Sequence, residues 1–285
     1  MAVLIKENHT RKIMLVAIEI FILLLFITLN IVPVLWGVLT SFKNPRDISA
    51  FPPKVINFIP VLEHYRTVVA GGLFKSMMVS VRNSALTIIV GTMLAAITAF
   101  GFDRYRFRGR SILFFCIILG IPLSVGSSAL LIPNYLYMVK MGLNNRIYTL
   151  PLLYITYNLP MAIWILKGNI EAIPISIDES ARIEGCTDMY IFAHLILPLA
   201  KPAMAASALF LFIGSWNEFV TSSVMVDAPH LRPIQLAIYN YLGYYGREWG
   251  PLTASATIAI IPIVIIFGFL SKLLISGLTQ GSVKE

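Results

Sequence analysis

The sequence predicts an all-α, polytopic membrane protein: one bundle of six transmembrane helices with both termini in the cytoplasm. Three observations carry this. The 285 residues are 58% hydrophobic and only 13% charged, against about 45–50% and about 25% for soluble domains. The apolar residues come in six long blocks. Between the second and third blocks, Asp103-Arg104-Tyr105-Arg106-Phe107-Arg108-Gly109-Arg110 packs four arginines into eight residues, which marks a short cytoplasmic loop. The mean hydropathy of +0.81 excludes an ordinary water-soluble globule, and the abundance of aliphatic residues excludes disorder.

The six blocks are expected at about 13–39, 81–102, 111–138, 147–166, 202–226 and 252–275. Each is long enough to cross about 30 Å of hydrocarbon at 1.5 Å per residue. The first follows Lys6, Arg11 and Lys12 and lacks a small-residue cleavage signal, so it reads as a signal anchor. The third is broken by Gly120, Pro122, Gly126 and Pro133. Lys and Arg divide 12 inside to 10 outside, so the orientation rests on the density of the short arginine loop. The whole chain reads as a single transmembrane domain, residues 1–285, with a long internal segment at about 168–201.

Several function classes fall away. The net charge of +8 comes without a basic stripe interleaved with aromatics, so it is assigned to membrane flanks and no nucleic-acid partner is expected. The two cysteines and four histidines are scattered, so neither a disulfide framework nor a metal site is expected. No nucleophile–base pair suggests an enzyme. An ATP-independent secondary transporter would need intramembrane acid–base or ion-site residues, and the only carboxylates in the spans are Glu19 and Glu218.

The internal segment has the grammar of a helix–turn–helix. Ser176 and Glu179 have capping-box spacing. Asp178 and Arg182 form an i,i+4 pair in the favourable order. Gly185 is a stop, since a reversal there needs positive φ, and a second short helix starts at Thr187. On local physics alone this is equally an amphipathic connector lying on the membrane.

A resemblance extends the reading. Glu179-Ser180-Ala181, three residues, Gly185, then Ile196-Leu197-Pro198 and Pro202 resemble the EAA loop of bacterial ABC importer permeases. Ser180 and Glu184 stand where that family usually has alanine and aspartate. Further matches are Trp36, Ser41-Phe42-Lys43, Asn83-Ser84, Trp216-Asn217-Glu218-Phe219, Trp249 and the tail from Gly277 to Lys284. By these the chain is similar to the carbohydrate-uptake permeases of the maltose type, over nearly its whole length.

The resemblance implies a MetI-like type I permease fold in the bacterial cytoplasmic membrane. It implies a second permease subunit as a heterodimer partner, two ATPase subunits, an extracytoplasmic solute-binding protein and a saccharide cargo. ATP and Mg would belong to the partner ATPase, and the chain has no Gly-Lys dipeptide, hence no Walker A loop. Glu179, Ser180, Ala181, Gly185, Ile196, Leu197 and Pro198 would then form the ATPase-coupling loop. Trp216, Asn217 and Glu218, with Ser124, Ser127 and Ser128, are candidates for the translocation path; the alternatives are an interfacial or helix-packing role. Tyr241, Leu242, Gly243, Tyr244, Tyr245, Gly246 and Arg247 would form a loop that enters the binding protein; the alternative is a headgroup belt. The cargo is expected to be a di- or oligosaccharide. External basic residues such as Arg46, Arg66, Lys75 and Arg232 admit an acidic one, and polyols or glycerol phosphate are alternatives.

Overall fold

A computed structural model describes residues 2–125, 128–243 and 247–280, with side chains for 11–122, 130–243 and 247–273. Among the described residues all regular structure is helical. The chain divides into two compact units, Met1–Gly71 with Tyr241–Ile258, and Gly72–Asn240 with Ala259–Glu285.

The first unit contains α1 (Ala2–Thr40), α2 (Pro45–Ile48), α3 (Glu63–Ala70) and the start of the last helix. The described part of α1 up to Trp36 is exposed along its whole circumference. An apolar helix with no buried face within its own chain faces lipid or another protein. The end of α1 is stitched to the segment that leads into α3. Val61 N–H donates to the Phe42 carbonyl at 2.8 Å, and the Ser41 and Tyr65 hydroxyls lie 2.7 Å apart.

The second unit contains α4 (Leu73–Arg104), α5 (Arg110–Ile118), α6 (Gly120–Val125), α7 (Ser128–Lys140), α8 (Thr149–Glu171), α9 (Ile175–Ile183), α10 (Asp188–Ile191), α11 (Leu197–Leu199), α12 (Lys201–Trp216), α13 (Val220–Met225) and α14 (Ile234–Tyr239). Helix α15 (Trp249–Gln280) begins in the first unit and ends in the second. Helices α4, α8 and α12 form the core. Their contact is lined by small residues: Ala95, Ala96, Ala99 and Ala162 are fully buried, which lets backbones approach where lipid offers no hydrophobic drive. Leu211 packs against Gly91, where an added Cβ would stand 3.0 Å from its methyls.

Among the described residues, four helices are long and apolar enough to cross a membrane: Arg11–Ser41, Leu73–Arg104, Thr149–Glu171 and Trp249–Leu273. A bent pair, Asp188–Leu199 with Lys201–Trp216 at 79°, makes a fifth if taken as one span. The expected third block is not one rod: it folds as α5, α6 and α7. The expected fifth block is also divided, into α12 and α13, with Asn217–Phe219 between them. The 79° bend has a plain cause. Pro198 and Pro202 lack the N–H groups that would bond His194 and Pro198 carbonyls. A π-helical turn over Phe192–Ile196 precedes the bend, with Leu197 N–H bonding the Phe192 carbonyl.

Two glycines in this core should respond oppositely to alanine. A Cβ on Gly214 would lie 2.1 Å from Asn158 Oδ1, whereas one on Gly101 meets nothing within 4 Å. Gly214→Ala is expected to destabilise the α8–α12 contact by about 1–3 kcal/mol, and Gly101→Ala to be neutral or stabilising by up to about 1 kcal/mol. Thermal unfolding of the two variants in detergent checks this, and equal effects would contradict it.

Candidate functional site

The internal segment folds as a short helix, a reversal and a second short helix, all tied to the end of α4. Helix α9 is nine residues, about 13 Å long. The expected capping box does not form. Pro174 occupies the N-cap with no side-chain cap bond, two positions before Ser176, which lies inside the helix. The expected Asp178–Arg182 pair does not form either. Asp178 turns inward, and its side chain is 1% exposed. Its Oδ2 accepts from Arg104 Nε at 2.6 Å.

Arg104 is the centre of this clamp. Its side chain is 3% exposed, pairs with neighbouring Asp103 and donates to the Ile173 carbonyl at 3.0 Å. One guanidinium thus holds the chain just before α9 and the first turn of α9 itself. Five N–H groups in a rigid fork make arginine suited to such a joint.

The other end is closed by Asp188. Arg182 donates to its Oδ1 from Nε and Nη2 at 3.1 and 3.0 Å, and the Tyr105 hydroxyl donates to its Oδ2 at 2.6 Å. The Tyr105 bond first, then Arg182, holds the Asp188 carboxyl below the usual carboxylate range, and the same bond raises the Tyr105 hydroxyl. A depressed acid contributes its stability above its unfolded value of about 3.9 and loses it as pH falls through the lower folded value. This joint is therefore intact at neutral pH.

Between the joints, Gly185 behaves as the sequence predicts. Its φ is +84°. Cys186 N–H bonds the Ala181 carbonyl and Gly185 N–H bonds the Arg182 carbonyl, both at 3.0 Å. This is the Schellman pattern, with glycine at the left-handed position. Thr187 caps α10, its hydroxyl accepting from Tyr190 N–H.

The residues of the matched loop divide by direction. Glu179, Ser180, Gly185 and Pro198 are exposed, Leu197 is half-buried, and Ala181 and Ile196 are buried. The latter two join Phe100, Leu166, Ile170, Ile191 and Phe192 in one apolar cluster, so they anchor the segment and do not present a surface. Sequence reasoning missed the outward apolar residues beside the turn. Ile183 is 88% exposed and Met189 73%. The sequence carried no signal for them, because which face of α9 and α10 turns outward is set by packing against the apolar cluster.

The other predicted sites are less assembled. Trp216 is buried against Phe212, with ring centroids 5.4 Å apart, while Asn217 next to it is exposed. Glu218 accepts from the Thr221 and Ser222 amides at 2.6 and 3.0 Å. It caps the short helix after the break in the expected fifth span, a favourable place for a carboxylate. The three do not converge on one cavity. Ser127 and the side chains of Ser124 and Ser128 lie outside the described residues. In the aromatic loop, Tyr244, Tyr245 and Gly246 likewise lie outside them. The loop's base is closed by Glu248 N–H donating to the Tyr241 carbonyl at 3.1 Å, and Arg247 lies 5.3 Å over the Trp249 ring. Leu242 and Gly243 are exposed. Among the described residues no group of His, Cys, Asp and Glu is placed to hold a metal.

A family model described as "Binding-protein-dependent transport system inner membrane component" matches residues 88–280, which include the whole clamped segment. The chain belongs to this family. The permease is 32% identical to the galactooligosaccharides transport system permease protein GanQ of Bacillus subtilis, over 93% of this chain and 94% of that one. It is 30% identical to the diacetylchitobiose uptake system permease protein DasC of Streptomyces coelicolor, over 94% and 95%. It is 28% identical to the maltodextrin transport system permease protein MdxG of Bacillus subtilis, over 91% and 94%. In fold it is similar to a chain of a bacterial ABC transporter involved in the import of alginate, with TM-score 0.77, 20% identity and coverage of 91% and 96%. It is thus a carbohydrate-uptake ABC permease, a transport component of the inner membrane that crosses it several times.

The clamp makes a quantitative expectation. Arg104→Met leaves Asp178 charged, buried and unpaired, which should cost about 3–5 kcal/mol. The double variant Arg104→Met/Asp178→Leu should regain most of that loss. Thermal unfolding of both in detergent tests the pair, and a double variant no more stable than the single would contradict it.

Proposed function

We propose that this permease forms one membrane subunit of a binding-protein-dependent importer for a di- or oligosaccharide, and that α9 and α10 are the lever through which a separate ATPase drives it. The observation that carries this is the pairing of a rigid attachment with a free apolar rim. Arg104 and Asp188 fix the segment to α4, and Ile183 and Met189 stand exposed beside the turn. An exposed apolar rim on a rigid knob suits a groove on a partner protein. Movement of the knob would then be carried into α4 as rigid-body tilt. The driving energy enters through different contacts in the two states of the bundle.

Six spans with both termini cytoplasmic place this segment beside the ATPase, in keeping with the arginine-dense loop at 103–110. The remaining partners in this reading are a second permease subunit, two ATPase subunits that bind ATP and Mg, and an extracytoplasmic binding protein. The aromatic loop from Tyr241 to Arg247 is assigned to contact with that protein. The path is assigned to the region of the α12–α13 break, where Glu218 sits. The relatives' named cargos, galactooligosaccharides, diacetylchitobiose and maltodextrin, support an oligosaccharide cargo.

Two substitutions test the lever in the assembled transporter. Ile183→Asp with Met189→Asp removes the apolar rim without touching the buried anchors, and Gly185→Val strains the turn at φ +84°. Each is expected to lower uptake into proteoliposomes by about tenfold or more, the scale of losing one interface hot spot, while the permease still reaches the membrane. Undiminished uptake in the rim variant would contradict the reading.

A further inference from the structure

Lys43 is a buried residue whose ammonium group has no counter-ion among the described residues. Its side chain belongs to a residue only 2% exposed. Nζ stands 4.1 Å from the centroid of the Trp36 ring and 5.4 Å from that of Phe58. Among the described residues it forms no ion pair. Asp47 is the nearby carboxylate, but its ion pair is with Lys54: Oδ1 accepts from Lys54 Nζ at 2.5 Å and Oδ2 from Asn44 Nδ2 at 2.6 Å. The lysine backbone is also held firmly, its N–H donating to the Thr40 carbonyl at 3.1 Å and its carbonyl accepting from His64 Nε2 at 2.8 Å. Cation–π contact offsets only part of the cost of desolvating an ammonium group, so the site lacks an anion.

The space for one is beside it. A cavity of about 480 Å³ is lined by Trp36, Thr40, Lys43, Asp47, Trp249 and Thr253, with Lys54 at its margin. Its depth is fixed by the helices that form it. The apolar run Arg11–Ser41 ends here, and the apolar run Trp249–Leu273 begins here. Both therefore meet at the boundary between hydrocarbon and water, the level where tryptophan is enriched and lipid phosphates lie. The α1 residues leading up to the cavity are exposed on all sides, so an acyl chain can run along them.

We propose that this cavity binds the phosphate of an anionic phospholipid headgroup, with Lys43 as its counter-ion. The hydroxyls of Thr40 and Thr253 are within the same lining and suit the glycerol of the headgroup. Lys54 has a supporting part: by neutralising Asp47 it keeps a carboxylate in the lining from repelling the phosphate. The assignment is independent of which sugar the permease carries.

The test is thermal unfolding of the full-length permease in a neutral detergent, titrated with dihexanoylphosphatidylglycerol, dihexanoylphosphatidylcholine, inorganic phosphate and glucuronate. A ligand that binds the folded state raises the unfolding temperature by mass action. Phosphatidylglycerol is expected to raise it at lower concentration than any of the other three. Lys43→Met should weaken that response about tenfold or more, the value of one charge-assisted bond, and Lys43→Arg should retain it. Lys54→Met alters an exposed side chain, so it folds irrespective of Lys43, and it too should weaken the response by freeing Asp47. An equal response to phosphatidylcholine or to inorganic phosphate, a stronger one to glucuronate, or an unchanged response in Lys54→Met would overturn the proposal.

Discussion

The buried ion pair between Arg104 and Asp178 ties the first turn of α9 to the end of α4, and the rest of the segment depends on it. A guanidinium and a carboxylate removed from water are costly, and their attraction offsets that cost only with close geometry and further bonds. The geometry is close, with the pair 2.6 Å apart, and the other two guanidinium nitrogens reach Asp103 and the Ile173 carbonyl, while Asp178 Oδ1 is buried without a hydrogen-bond partner among the described residues. Slack in this joint would leave the charges unpaired. In the lever proposed above, a segment fastened in this way would carry its displacement into α4.

The same constraint shapes the rest of the segment. With α9 fixed at its start, its end must be fixed as well if the knob is to stay rigid, and Asp188 does this through Arg182 and Tyr105. Tyr105 directly follows Arg104, so consecutive residues at the end of α4 hold the two short helices. Beneath them Ala181, Ile191 and Ile196 join the same apolar cluster as Ala95 and Ala162 of the core helices. The knob and the α4–α8–α12 core thus share one packed interior, and packed interiors shift as bodies. The small residues that draw the core helices together serve the same end.

What could be read from the sequence was what local chemistry determines. Gly185 needs no partner beyond its own turn, and Thr187 caps its own helix, so both were legible. The apolar blocks fixed the long helices for the same reason, since hydrocarbon length is a local quantity. The partner of Asp178 was not legible. The i,i+4 rule favours Arg182, but Arg104, 74 residues away, has the stronger claim once α4 and α9 pack. Burial of Ala181 and Ile196 was hidden likewise: their place in the motif marks importance, not direction. The expected third and fifth spans were drawn as single rods because their composition is apolar throughout. Gly120 and Pro122, and the capping carboxylate of Glu218, divide them into shorter helices. Trp216, Asn217 and Glu218 read as one cluster along the chain, yet the end of α12 sends them into core, surface and cap.

The most direct measurement of the lever is cross-linking from its outer rim in the assembled transporter. Ile183, unlike Ala181, is free to report on a neighbour. With Cys116 and Cys186 replaced by serine, a cysteine at position 183 is labelled with benzophenone-maleimide, whose ketone inserts into neighbouring C–H bonds on irradiation, and is irradiated with and without ATP. The account requires a covalent product with the ATPase polypeptide whose yield changes with nucleotide. A position 183 that labels fully but joins no second polypeptide in either condition would contradict it.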